Sequence, residues 1–431
     1  MKNLPSSWQF HSDGMSREQS VFANRFVGAL VMGNVVLYCS YVYLYFFQTN
    51  ATGFKPLYWY VITIATAFGL LLSQGWTLLQ RTSGHFRAWI FVFLCYGIIG
   101  AIHSSQSEVT VESLIERVEI AALLMAFVIL FMTERGVYFA RIALLFVVSF
   151  GVFMNLVDFV MPTWTQNPGR SAGLYMNANL SGYMLVLAMI GGIPLVPRRI
   201  RFVFCACVGL GVLVTFSRSS WLLWAVAVIG LAMTGHFVLR HKAPAIVLVS
   251  LVSVMSVYVL LTGGLYEYVA AAGYSNKLTP DTFARLGAAG GAFMDESAAS
   301  RKEAAVHAWK VFTEHPWFGA GLGYTREWGF AVEPHNLYLS MAAQGGIFGL
   351  FLTLSLLVVL WKVTSGNGRV LLAVFAVLSL FSHNSLDQPP ILVIVALIAA
   401  LGNTFRAGDA EPAPGASSAF TGVARIHGAG P

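Results

Sequence analysis

The sequence has few charged residues for its length. Of its 431 residues only 10% are Asp, Glu, Lys or Arg, whereas 57% are hydrophobic, and the mean hydropathy is +0.69. A soluble globular protein carries about 25% charged residues. So few charges cannot cover a water-facing surface, which excludes an ordinary soluble protein.

Cysteine is also scarce, and a basic low-complexity block is missing. The four cysteines, Cys39, Cys95, Cys205 and Cys207, all fall within apolar runs. This placement predicts small buried hydrophobic residues and not disulfides or metal ligands. The net charge of +7 is spread over short loops, so it does not indicate nucleic-acid binding. The first residues are polar, and we expect no cleavable signal peptide there.

Apolar runs long enough to span a bilayer recur along the chain. A spanning helix needs about 20 such residues, and helices satisfy their own backbone hydrogen bonds in lipid. We therefore predict an all-α polytopic membrane protein with about 12 transmembrane helices. The predicted spans are 26–47, 57–79, 87–103, 117–133, 138–160, 176–196, 200–216, 219–239, 244–264, 336–361, 369–384 and 389–405.

These spans divide the chain into five parts. We predict a cytoplasmic N-terminal segment (1–25), nine transmembrane helices (26–264), a long helical periplasmic loop (265–335), three more transmembrane helices (336–405) and a disordered cytoplasmic tail (406–431). The tail is rich in Gly, Ala and Pro, a composition that does not support a packed core.

The positions of Lys and Arg predict the orientation. Of the 26 basic residues, sixteen lie on the side of the two termini, four lie in short loops of the other side and six lie in the long loop. Only short loops report orientation, and basic residues favour the cytoplasm. Both termini are therefore expected in the cytoplasm, and the long loop in the periplasm of a bacterial inner membrane.

An arginine stands in one of the short periplasmic turns, within "TFSRSSWLLW" (215–224). Arg218 opposes the orientation bias there, and the tight hairpin keeps its guanidinium near the membrane plane. Such a group suits a lipid phosphate, which it can bind with two parallel hydrogen bonds. The alternative is a snorkelling arginine that anchors the helix end.

The long loop carries a second candidate, within "SAASRKEAAVHAWKVFTEHPWFGAGLGY" (297–324). Ser297 is predicted to cap a helix that ends near "EHP". We predict an apolar stripe along this helix, with Arg301 at its edge. The predicted stripe comprises Ala305, Ala308, Trp309 and Phe312. No strand precedes "GAGLG" (319–323), so we predict a tight turn and not a nucleotide-binding loop.

Polar residues also mark the starts of two spans. Asn177 and Asn179 open the sixth span, where they either cap the helix or bind sugar hydroxyls. His335 follows Pro334 at the start of the tenth span, near a helix N-terminus that favours a neutral ring. A neutral imidazole at this boundary can take a proton from an incoming hydroxyl, or it can hydrogen-bond a phosphate oxygen.

Together these motifs resemble the O-antigen ligase family, within a superfamily that also contains polymerases. The matching pieces lie between about residues 170 and 350 and are "GRSAGLYMNAN", "TFSRSSWLL", "SRKEAAVHAW", "EHPWFGAGLG" and "PHNLYLSMAAQGGIFG". The resemblance implies a GT-C-like membrane glycosyltransferase. It implies transfer of O-antigen from undecaprenyl pyrophosphate to a sugar hydroxyl of the lipid A-core oligosaccharide, with inversion at the anomeric carbon.

The resemblance also assigns roles to residues. Arg218 and Arg301 match the essential arginines of the family, and His335 matches its essential histidine. No D-x-D pair lies on the predicted periplasmic side, so we expect guanidinium groups instead of a metal beside the leaving pyrophosphate, and no cofactor. Further substrate-lining residues are expected to be Arg170, Asn177, Asn179, Asn336, Trp309, His383 and Asp387.

Other functions remain open at this level. A polymerase would use the same donor and lengthen its chain, and a protein O-oligosaccharyltransferase would pass the glycan to a protein hydroxyl. A transporter would place charges at mid-span and show repeated halves. Here the ionisable residues gather at one face, with Arg117, Glu119 and Asp158 as the main exceptions.

Overall fold

The protein is an assembly of helices in the part of the chain that its computed structural model describes. This part comprises residues 17–105, 107–133, 135–166, 169–237, 296–330 and 333–408. It forms fifteen α-helices: α1 (Arg17–Cys39), α2 (Val42–Gln48), α3 (Pro56–Gln74), α4 (Thr77–Arg81), α5 (Gly84–His103), α6 (Glu108–Phe131), α7 (Gly136–Val160), α8 (Ala178–Gly192), α9 (Arg201–Leu213), α10 (Arg218–Met233), α11 (Glu296–Glu314), α12 (Tyr324–Glu327), α13 (Leu337–Val363), α14 (Asn367–Leu378) and α15 (Pro389–Gly408).

The predicted class, a polytopic helical membrane protein, is confirmed, whereas the predicted number of spans is not. Five of the described helices are long and apolar enough to cross a membrane, or six if the bent pair α1 and α2 forms one span. Several other predicted spans correspond to shorter apolar helices, such as α9, α10 and α14. The predicted span 244–264, most of the loop before α11 and the tail after α15 lie outside the described residues.

Two local features of the apolar helices differ from the prediction. Tyr41, with φ 64°, separates α1 from α2, which bends the first predicted span by 50°. Of the four cysteines, Cys207 is exposed on α9, whereas Cys39 and Cys205 are buried as expected. Cys95 is half-buried. An apolar helix that faces lipid needs no protein cover over a small side chain.

Loops that carry the predicted site residues meet at one end of the bundle. The Arg170 guanidinium Nε donates a 3.0 Å hydrogen bond to the Thr215 carbonyl, so the segment before α8 touches the α9–α10 turn. The backbone N–H of Leu337 donates a 2.8 Å hydrogen bond to the Ser379 carbonyl, which joins the start of α13 to the α14–α15 turn. We call this the site end.

Arginines from the side predicted to be cytoplasmic hold turns at the opposite end. Arg81 donates a 3.2 Å hydrogen bond to the Met132 carbonyl, after α6. Arg201 donates to the carbonyls of Val196 and His236 at 2.8 and 3.1 Å, after α8 and α10. Such carbonyls lack partners within their own helices, and cations near helix C-termini are favourable.

A break in α13 receives the glycine-rich turn. Gly346 has φ 59° and ψ −146° inside the helix, so the ladder of helical hydrogen bonds is interrupted there. The freed carbonyls of Ala343 and Gln344 accept hydrogen bonds of 2.8 and 3.1 Å from the backbone N–H groups of Ala320 and Gly321. Within a bilayer, freed backbone groups require such protein partners. The predicted turn at 319–323 is confirmed, and its role is to fill this break.

The helix α11 packs on α13 through small side chains. Ala304 and Ala308 are fully buried and Val311 is 3% exposed. Ala308 and Val311 form one apolar cluster with Ala343 of α13. Alanines at a helix interface allow close approach of the two backbones.

The predicted stripe on this helix is wrong by about one residue. Ala305 and Phe312 are only half-buried, and Trp309 is 56% exposed. The large Trp309 ring does not fit the close interface, so the helix turns its alanines inward. Arg301 is one turn before Ala304 on the packed face itself, and not at its edge. Ser297 lies within the described helix.

We expect the break in α13 to be essential for stability. In Gly346→Ala the new Cβ would collide with the Trp317 backbone, and a positive φ at a non-glycine residue costs about 1–3 kcal/mol. The purified variant should melt at a lower temperature in detergent than the wild type. Gly69→Ala is the control, because a Cβ at Gly69 in α3 meets nothing within 4 Å. Equal melting temperatures for Gly346→Ala and the wild type would contradict the role of the break.

Candidate active site

The turn that carries Arg218 is held from two sides. Ser217 caps α10 by accepting a hydrogen bond from the Ser220 backbone N–H, and Arg218 is the first helical residue. On the other side of the turn, the buried Arg170 donates to the Thr215 carbonyl and, at 2.8 Å, to the Asn179 side-chain oxygen. Arg170 therefore braces the turn against α8.

A buried carboxylate shapes the segment before α8. Asp158, at the end of α7, is 1% exposed. Its two oxygens accept four backbone hydrogen bonds of 2.8–3.1 Å, from Thr163, Trp164, Ala172 and Gly173. A carboxylate with this many backbone donors is satisfied without a cation. Asp158 thus has a structural environment, unlike the mid-span charge of a transport pathway.

The charge of Arg301 acts on a group near the start of α10 and on His335. The first of these groups is the Tyr183 hydroxyl. Tyr183 in turn shares a 2.8 Å hydrogen bond with Ser219, the neighbour of Arg218. Arg301 is therefore within electrostatic range of His335 and of Tyr183, and Tyr183 is bonded to the residue that follows Arg218 in the chain.

The backbone around His335 is sharply bent. His335 has φ 47°, in the left-handed region that a residue with a side chain seldom adopts. Asn336 caps α13 with its side-chain oxygen, which accepts a 3.1 Å hydrogen bond from the Leu339 backbone N–H. Together with the Leu337–Ser379 bond, this cap fixes the residue that follows the histidine. Strained conformations of this kind concentrate at functional sites.

The environment of His335 keeps its ring neutral. Burial, followed by the Arg301 and His383 charges, lowers the pKa of His335 to about 4, and Glu333 partly opposes the shift. Desolvation and nearby cations both disfavour the imidazolium. At neutral pH the ring therefore has a lone pair available for a proton.

A second imidazole lies against the first. The His335 and His383 ring centroids are 5.2 Å apart, with the rings nearly perpendicular. His383 Nε2 lies 3.3 Å from a carboxylate oxygen of Glu333. Burial raises the pKa of Glu333, but the hydrogen bond and charge of His383 and the charge of Arg326 outweigh it and lower the pKa below its ordinary value. The Glu333 carboxylate is therefore ionised at neutral pH.

Two ion pairs lie within electrostatic range of this pair of histidines or of each other. Asp387 accepts a 3.1 Å hydrogen bond from Arg117 of α6. Arg326 of α12 donates to both carboxylate oxygens of Glu116, at 3.0 and 2.6 Å. Burial raises the pKa of Asp387, and Arg117 opposes this shift. The pairs tie α6 to the α14–α15 turn and to the loop.

The remaining predicted substrate residues are placed as follows. Asn177 caps α8 by accepting hydrogen bonds from the Asn179 and Leu180 backbone N–H groups. Asn179 is the partner of Arg170, and Asn336 is the cap of α13. Trp309 lies on the outer face of α11, next to Phe312 at a ring distance of 5.5 Å. The structure thus brings His383 to His335, whereas Trp309 is exposed on α11.

The sequence analysis did not identify a chain of hydrogen-bonded polar groups that begins at Glu333 and continues through Thr325 to Gln344. Thr325 donates a 3.4 Å hydrogen bond to the second Glu333 oxygen. The buried Gln344 donates to Thr325 at 3.0 Å and to Ser340 at 2.9 Å, and accepts from the Gly323 backbone N–H at 3.0 Å. The i, i+4 spacing of Ser340 and Gln344 was the available signal, since it places both on one helix face.

The comparison with known proteins agrees with the motifs. Residues 203–354 match the family model described as O-antigen ligase. The match includes Arg218, Arg301 and His335 and covers about a third of the chain. No curated protein matches the chain. Residues 203–354 are therefore similar to the O-antigen ligase domain, in agreement with the family that the motifs resemble.

Proposed function

We propose that the protein is an inverting, metal-independent glycosyltransferase of the inner membrane, with its active site on the periplasmic side. Its donor is O-antigen on undecaprenyl pyrophosphate, and its acceptor is a hydroxyl of the lipid A-core oligosaccharide. The observation that supports the proposal is a neutral His335 within electrostatic range of Arg301, which also acts on Tyr183, the hydrogen-bond partner of the residue after Arg218.

In the proposed reaction two arginines stabilise the negative charge of the leaving group. The acceptor oxygen bonds to the anomeric carbon while the bond from that carbon to the phosphate oxygen breaks, and negative charge collects on the lipid pyrophosphate. Arg218 and Arg301 carry fixed positive charges suited to this anion. The adjacent N-termini of α8 and α10 add partial positive charge at the same end.

His335 takes the proton of the attacking hydroxyl. Its neutral ring is suited to a base role, and its bent backbone and the Asn336 cap fix its position. A positioned base of this kind contributes typically about 10²–10⁴-fold to a rate. The α14–α15 turn, with His383 and Asp387, is proposed to line the acceptor side. Arg170 and Asn179 support the donor side.

Transfer should depend on all three residues. With purified protein, undecaprenyl-pyrophosphate-linked O-antigen and rough lipopolysaccharide in EDTA, we expect the wild type to produce capped lipopolysaccharide on a gel. Arg218→Ala, Arg301→Ala and His335→Ala should each lower the rate by about 10² or more, because each removes a group that acts in the transition state.

Matched controls come from the same loop. Lys310→Ala removes an exposed cation from α11, and His315→Ala removes an exposed imidazole. Both should keep the wild-type rate.

Elongation of the donor glycan on its own lipid would identify a polymerase instead. Loss of wild-type transfer in EDTA would contradict metal independence.

The pH dependence tests the role of His335. Because its pKa is lowered to about 4, the neutral base persists as the pH falls and is lost only near that value. We expect kcat/KM for the donor, which reports the free enzyme, to be the same at pH 5.5 as at pH 7.5. A base with the ordinary histidine pKa would retain about a tenth of its rate at pH 5.5. A fall of that size in the wild type, with the melting temperature unchanged, would contradict this environment for His335.

A further inference from the structure

Glu333 and His383 form a close pair on the proposed acceptor side of the site. Glu333 precedes His335 by two residues, and its carboxylate binds His383 Nε2 at 3.3 Å. An ionised carboxylate only accepts hydrogen bonds, so the 3.3 Å contact favours the proton on Nε2. This contact fixes which nitrogen of the His383 ring is left for other partners.

The other nitrogen has no partner among the described residues. His383 Nδ1 is buried and receives no hydrogen bond in this part of the chain, although the side chain as a whole is 16% exposed. A buried polar atom that lacks a partner costs about 1–3 kcal/mol, so native proteins seldom leave one without a function. With Nε2 protonated, Nδ1 of the neutral ring is an acceptor.

The surroundings indicate which ligand this nitrogen receives. Glu333 and Asp387 both interact electrostatically with His383, and Glu116 lies within electrostatic reach of Asp387. Arg117 pairs with Asp387 and Arg326 with Glu116, so it is the Glu333 carboxylate beside the ring that disfavours a pyrophosphate at this position. A hydroxyl group fits either state of the ring, since it donates to a bare Nδ1 and accepts from Nδ1–H.

From this arrangement we infer that Glu333 is a positioning residue that holds His383 with Nδ1 toward the acceptor sugar, where it binds a hydroxyl. His383 lies against His335, so a hydroxyl on Nδ1 and the hydroxyl that His335 deprotonates can belong to one sugar ring. Glu333 thereby sets acceptor recognition without touching the substrate. This inference rests on the proposed function, because it takes the acceptor to be a sugar.

Thr325 and Gln344 make this arrangement rigid. Thr325 donates to Glu333, and Gln344 links Thr325 to Ser340 and to the Gly323 backbone. The carboxylate is therefore anchored to α13 and to the glycine-rich turn. A supported side chain keeps its partner in a productive geometry better than an exposed one.

The test separates acceptor binding from transfer. Binding of rough lipopolysaccharide to the purified protein is measured by calorimetry without donor, and KM values for acceptor and donor are measured in the transfer assay. In Glu333→Ala we expect a roughly five- to tenfold weaker acceptor affinity and the same rise in acceptor KM, with the donor KM unchanged. Glu333→Gln should restore most of the affinity, because its carbonyl still accepts from Nε2–H.

Two further variants keep the test decisive. In His383→Gln the amide occupies the Nε2 position and can still bond to Glu333, but no atom replaces Nδ1, so acceptor affinity should fall as in Glu333→Ala. Glu327→Ala removes an exposed carboxylate from α12 and should bind normally. Equal acceptor affinity in the wild type and a folded Glu333→Ala overturns the inference. If the wild type binds the acceptor but transfers nothing, the proposed function fails and the binding comparison still decides the inference.

Discussion

The structure depends most on the contact between the glycine-rich turn and the break in α13. Ala320 and Gly321 donate to the carbonyls that the break at Gly346 frees, and in a membrane those carbonyls have no water to replace them. The same contact fixes the loop that carries Arg301 against the helix that His335 precedes. These backbone hydrogen bonds thus hold the segment that follows α11 against the helix that follows His335.

The charges around the site are held by neighbours within the protein. Arg170 donates hydrogen bonds to a carbonyl and to an amide oxygen. Asp158 accepts from four backbone N–H groups, and Asp387 accepts from Arg117. Buried charges need such partners, since desolvation otherwise exceeds the gain from any single pair. In the proposed reaction these residues hold the site in a fixed polar arrangement, so little reorganisation is needed when charge develops on the leaving group.

The sequence was sufficient for the helical class and for the 319–323 turn, which its glycines indicate. Arg218 and His335 were proposed as site residues from local motifs, and their roles stay predictions. The predicted buried face of α11 was wrong because Ala304 and Ala305 are equally apolar in the sequence. Only the packing of α11 on Ala343 determines which of the two is buried. The Glu333–His383 pair joins residues fifty positions apart, and Arg117 and Asp387 are further apart still. No periodicity or spacing reports such contacts.

Arg301 has two opposing effects in the proposed reaction. Its charge stabilises the departing pyrophosphate, but the same charge helps to lower the pKa of His335 and so weakens the base. A bound pyrophosphate reduces this conflict, because its negative charge offsets that of Arg301 and raises the pKa of His335 above its value in the empty site, while burial still lowers it. By linkage, protonation of His335 and donor binding then favour one another. The base is weak in the empty site and gains strength once the donor lipid has bound.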